Sequence, residues 1–85
     1  MQPAMDVPAP VLLDRLPTGV RARVVAVAGD VALRRRLLEM GLCTATEVEV
    51  IRRAPFGDPI ELRLRGYHLS LRAEQARLIT VERSA

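Results

Sequence analysis

This 85-residue sequence has one cysteine and one histidine, Cys43 and His68, the residue types most often paired as activated nucleophile and base or as transition-metal ligands. A Cys–His pair does chemistry when the imidazole lies within hydrogen-bond reach of the thiol and a third group orients it. Cys43 follows a segment of helical period, whereas His68 falls on the outward side of a hairpin beside Arg63, so the pattern does not join them. No carboxylate pair is marked as general acid and base. The glycines are scattered singly, so no phosphate-cradling loop is present either. These residues describe a protein that is not an enzyme.

The metal donors lead to the same place. Met40, Cys43, His68, Asp58 and Glu39 are the available ligands, but one Cys and one His without motif spacing make no closed transition-metal site. Cys43 reads as a small residue just past a helix, and the metal ligands stay unassigned. A site shared between chains of a homo-oligomer stays open.

All thirteen basic residues are Arg, against ten acids, for a net charge of +3. The acids interleave with the arginines, which reads as a solvated surface rather than a binding stripe. Single-stranded nucleic acid is held by a positive groove with aromatic stacking platforms, and the aromatics here are Phe56 and Tyr67 alone, the latter expected inward. A nucleic-acid-binding barrel is therefore the alternative, and no nucleic acid is expected as a partner. The lone cysteine excludes an internal disulfide and suggests a reducing compartment. The start "MQPAMDVPAPVLLDR" has prolines where a signal peptide would need an unbroken apolar run, and no run reaches the length of a membrane span. The expectation is a cytoplasmic protein with no direct membrane insertion.

Phe56 is placed unusually, between Pro55 and Gly57 in "RRAPFGDPIELRLRG". Two readings stay open: a lid folded over one end of the core, or an aromatic anchor presented to a partner by a loop stiffened by Pro55 and Pro59.

The elements that must position these residues follow from hydrophobic period. Residues 1 to 11 are expected to be a flexible lead, and Leu12, Leu13 and Leu16 an apolar anchor before a turn at Pro17–Gly19. "VRARVVAV" puts Val20, Ala22, Val24 and Ala26 on one face of a strand. "GDVALRRRLLEMGL" then changes to helical spacing, with Asp30 as N-cap, Gly41 as the left-handed residue after the helix, and Leu37 meeting Leu42 in a Schellman stop. The arginines of that helix, Arg34 to Arg36, read as a solvated rim.

In "IELRLRGYHLSLR" the apolar phase flips across Arg65 and Gly66, which a two-residue hairpin turn explains. Leu64 then faces Tyr67, Leu62 faces Leu69, and Ile60 faces Leu71, with Glu61 opposite Ser70 and Arg63 opposite His68 on the wet side. "TEVEVIRR" supplies a preceding strand whose Val48 and Val50 meet Leu64 and Leu62. "RAEQA" gives a single helical turn and "RLITVE" a last strand. The predicted fold is mainly β: a small SH3-like or OB-like barrel of about five strands with one short α-helix after the first, over residues 12 to 82, with a tail at 83 to 85.

The succession Leu-x-x-Leu-Pro-x-Gly, "LRRRLLEMGL", "TEVEVIRRAPFGDPIELRLRGYHLSLR" and "EQARLITVE" resembles the ferrous iron transport protein A (FeoA) family over roughly residues 12 to 82. The resemblance implies an SH3-like barrel similar to the C-terminal domain of metal-dependent repressors, without a helix-turn-helix. It implies a small cytoplasmic accessory protein of a ferrous iron uptake system, acting through contact with the GTP-dependent membrane transporter FeoB and modulating Fe²⁺ transport. It also implies no required cofactor and at most weak binding of a transition metal such as Fe²⁺, with a metal-sensing module that dimerises on metal as a further alternative. The candidate contacts are Pro55, Phe56 and Asp58 on the loop, with Arg63 and His68 on the neighbouring wet face. One departure stands out: Thr44 and Ala45 occupy the turn after the helix where the family usually has Pro-Gly. If that turn needs positive φ, Ala45 is strained there.

Overall fold

A computed structural model describes residues 9–84 of the chain. The expected lead at residues 1 to 11 lies largely outside the described residues. What is described of it ends in β1 (Val11–Leu12), which pairs antiparallel with β6 (Ile79–Arg83). Between them run β2 (Arg21–Val27), β3 (Glu47–Arg53), β4 (Ile60–Leu64) and β5 (Tyr67–Leu71), in one antiparallel sheet of order β1-β6-β2-β3-β4-β5. The strands number six rather than five, because the two-residue β1 is too short to show a period. The sheet reaches Val11 and Arg83, one residue past the expected span at each end.

α1 (Val31–Glu39) forms as its end signals require. Asp30 is extended, and its carboxylate accepts from the Leu33 N–H at 2.8 Å. At the other end Gly41 has φ +103°, the Leu42 N–H donates to the Leu37 carbonyl at 3.1 Å, and the Gly41 N–H donates to that of Leu38 at 2.9 Å. This is the full Schellman pair of bonds, with Leu37 and Leu42 both buried. At nine residues the helix has about two and a half turns, and Arg34, Arg35 and Arg36 all point to solvent.

The β4–β5 hairpin has the anticipated register at every pair, Ile60↔Leu71 to Leu64↔Tyr67. Arg65 (φ +50°) and Gly66 (φ +83°) make the turn, the two positive angles that mark type I′. Val48↔Leu64 and Val50↔Leu62 join β3 to it. α2 (Ala73–Ala76) is the expected single turn.

One core collects residues from every layer: Leu13 and Leu16 from the 3-10 turn after β1, Val24, Leu37, Val48, Val50, Leu62, Leu71, Ile79 and Val81 among others. Each such aliphatic side chain contributes roughly 1.5 to 3 kcal/mol of burial.

Two expectations about facing are corrected. Ala26 does not continue the buried face of β2, because a bulge between Val24 and Ala26 shifts the register against β6 and turns Val27 toward the core instead. Tyr67 occupies an inward register position yet keeps 44% of its surface exposed. It stands on the edge strand, where the sheet has no neighbour to cover its ring.

Candidate functional site

Phe56 is 97% exposed, which overturns the reading of it as a lid. Its position follows from the local sequence. Pro55 presets φ for the second position of a β-turn and Gly57 (φ +82°) takes the fourth, so Phe56 is left at the third. The Gly57 N–H closes the turn on the Ala54 carbonyl at 2.7 Å, and the Ala54 N–H donates to the Pro59 carbonyl at 3.1 Å. The loop is therefore held by its own backbone bonds while its aromatic ring touches almost nothing. Pro55 and Asp58 are exposed beside it.

Asp58 has a second duty: its Oδ1 accepts from the Ala73 N–H at 3.1 Å, tying the loop to the start of α2. An open pocket of about 430 Å³ lies there, lined by Asp58, Pro59, Ser70, Leu71, Arg72 and Gln75. Arg63 and His68 face each other across β4 and β5 as expected, both exposed. Arg63 is engaged, however, since its Nη2 meets the Glu49 Oε1 at 2.7 Å. It lines a different groove of about 590 Å³ with Arg21, Glu47, Glu49 and Arg65. Arg63 stands three residues beyond Ile60, about 10 Å along β4, so the five candidates form two groups rather than one patch.

The outward face between these groups is a ladder of opposite charges. Arg21, Glu49 and Arg63 lie in one lateral row, and Arg52 meets Glu61 at 3.0 Å in another. The first row could be read from the hairpin register, because Val48 opposite Leu64 puts Glu49 opposite Arg63. The bond from Asp58 to Ala73 spans fifteen residues between irregular segments, and no local pattern announces it.

Cys43 donates only a long bond, 3.7 Å, to the Leu38 carbonyl, and among the described residues no three His, Cys, Asp or Glu side chains converge on a point where a metal ion could be held. A single chain thus provides no closed donor set among those residues. No helix is long and apolar enough to cross a membrane among them.

A small antiparallel domain with one helix packed at its core and a single aromatic held out on a tight turn is a mainly β domain of the SH3-like class. The FeoA domain model matches residues 11–83, and the chain belongs to that family, which is linked to ferrous iron transport. Among solved structures it is similar to the FeoA protein of Chlorobium tepidum, with 43% identity, 88% of this chain and 71% of that one covered, and a TM-score of 0.81. FeoA of Stenotrophomonas maltophilia, solved in complex with zinc and described as a prokaryotic SH3 domain protein, is 28% identical over 84% of this chain and 88% of that one, with a TM-score of 0.72. A Porphyromonas gingivalis Fe(2+) transport protein A/Fe(2+) transporter FeoB fusion protein is 41% identical over 70 residues. That match takes in 82% of this chain but 8% of the relative's length.

Proposed function

We propose that this chain is a cytoplasmic accessory protein that docks on the FeoB-like ferrous iron transporter and modulates Fe²⁺ transport, using the Phe56 loop as its anchor. The choice of partner is supported by the fused relative, in which the homologous segment and the transporter share one chain. Joining two modules in one chain raises their effective concentration for each other, which is useful when they meet in function.

The observation that carries the site is the nearly complete exposure of Phe56 on a loop already closed by backbone bonds. An aromatic anchor that is ordered before binding loses little conformational entropy on docking, and such residues dominate interface energetics. Pro55 and Asp58 flank it, and the Arg63 and His68 group supplies a polar margin farther along β4 and β5.

Capture of purified transporter by immobilised wild-type chain and by Phe56→Ala tests this. The expected result is a loss of about 2 kcal/mol, roughly thirtyfold in affinity, in a variant with an unchanged circular dichroism spectrum. Equal capture by the folded variant rejects Phe56 as the anchor, and no capture by the wild type rejects the partner.

A further inference from the structure

The two edges of the sheet are protected very differently. β1 is two residues long, too short to template another strand. β5 has five residues in regular register and contains no proline, no bulge and no Asp, Glu, Lys or Arg. Its own sequence thus carries no charge, proline or bulge of the kind that keeps an edge strand from pairing with another chain, and among the described residues no strand covers its outer edge.

The type I′ turn decides which backbone groups this edge presents. In a two-residue hairpin the flanking pair, here Leu64 and Tyr67, exchanges both hydrogen bonds, and bonded and non-bonded pairs then alternate along the ladder. Tyr67, Leu69 and Leu71 accordingly direct their N–H and C=O groups to β4. His68 and Ser70 direct theirs outward, and among the described residues no backbone bond from another element reaches either.

The side chains are self-complementary about Leu69. Antiparallel pairing centred there sets Leu69 against the partner's Leu69 and Tyr67 against the partner's Leu71 on the apolar face. On the other face it sets His68 against the partner's Ser70, the two residues with free backbone donors and acceptors. The contact would cover what the monomer leaves open, the exposed part of the Tyr67 ring and the half-buried Leu69. No like charges are opposed within the strand.

We propose that the outer edge of β5 is a self-association site, at which a second copy of this chain adds antiparallel about Leu69 and extends the sheet across a two-fold axis. Both long edges are consumed in the pair, so association stops at the dimer. Five residues a side cover far less than the roughly 800 Å² per partner of a stable complex, so the dimer is weak, with a Kd of about 0.1 to 1 mM. This site is separate from the Phe56 loop and does not depend on the transporter reading.

Sedimentation equilibrium and amide hydrogen exchange over a dilution series, on the full chain with chelator present, test the proposal. The expected result is a mass that climbs from monomer toward dimer across about 10 µM to 1 mM, with protection of the His68 and Ser70 amides rising in step. Ser70→Pro removes only an outward N–H, so it should keep the fold and stay monomeric throughout. A monomer mass at every concentration overturns the site. So does dimerisation undiminished in folded Ser70→Pro, which would mean another surface. Protection of the two amides that ignores concentration also overturns it, because the edge would then be covered from within one chain. Should Ser70→Pro fail to fold, the wild-type exchange data decide alone.

Discussion

The hydroxyl of Tyr67 donates to the backbone carbonyl of Met40 at 2.6 Å, fastening the edge strand β5 to the last turn of α1. The carbonyls of a helix end lack intrahelical partners, so this bond satisfies one of them from the sheet. Gly41 makes the approach feasible: a Cβ there would stand 2.5 Å from the same hydroxyl, and its φ of +103° already disfavours any other residue. Tyr67→Phe should cost about 1 kcal/mol in urea denaturation. Gly41→Ala, with both the contact and the backbone against it, should cost at least about 2 kcal/mol. Equal effects would mean that the tyrosine bond, not the space, governs this corner.

The turn from Cys43 to Thr46 closes with the Thr46 N–H on the Cys43 carbonyl at 3.0 Å, and its third residue, Ala45, has φ +76°. That is the position of a type II turn which prefers glycine, and the second position favours proline. The Pro-Gly expected from the family resemblance thus fits the turn better than Thr44 and Ala45 do. Ala45→Gly should stabilise the protein by about 1 kcal/mol, since relief of a left-handed alanine outweighs the added freedom of the unfolded chain. For a domain of this size the melting temperature would rise by about 4 to 8 °C, readable by calorimetry.

Arg63 and Glu49 form the shortest ion pair described, at 2.7 Å, with the arginine side chain 53% exposed. Solvent and the entropy of two long side chains offset most of the attraction. A double-mutant cycle with Arg63→Ala and Glu49→Ala should give a coupling below about 1 kcal/mol, smaller still in high salt. A larger, salt-insensitive value would show that the charge ladder holds the sheet together.

Phe56→Ala should leave stability within about 0.5 kcal/mol of the wild type, because the ring gives up almost no contact. Chemical denaturation measures this. A loss on the scale of a core truncation, about 3 kcal/mol or more, would mean the ring is buried in solution.

Much of this fold is written in short-range signals. The phase flip across Arg65 and Gly66 fixes the hairpin register, and the Asp30 and Gly41 signals fix both ends of α1, because each depends on residues within a few positions of one another. The bulge that shifts register after Val24 was invisible, since an extra residue inside "VVAV" leaves a run of apolar side chains that fits either phase, and the one after Val50 sets Arg52 opposite Glu61 and Arg53 opposite Ile60, a pairing that alternation alone does not announce. Tyr67 kept its inward register but not its burial, because alternation states a face and not whether a neighbour covers it. At the candidate site the loop geometry around Phe56 was legible from Pro55 and Gly57. The exposure of its ring was not, since lid and anchor share one local sequence. The separation of Asp58 from Arg63 and His68 depends on how far along β4 each falls, which only the assembled sheet reveals.

The protein has no tryptophan, so Phe56→Trp would place a single indole at the tip of the loop. Its fluorescence, recorded with and without the purified transporter, addresses the docking claim at the residue that carries it. The account predicts a solvated, readily quenched emission in the free protein that shifts to the blue and becomes shielded from quencher when transporter is added. A blue, shielded emission in the free protein, or one that stays solvated with the transporter bound, would contradict it.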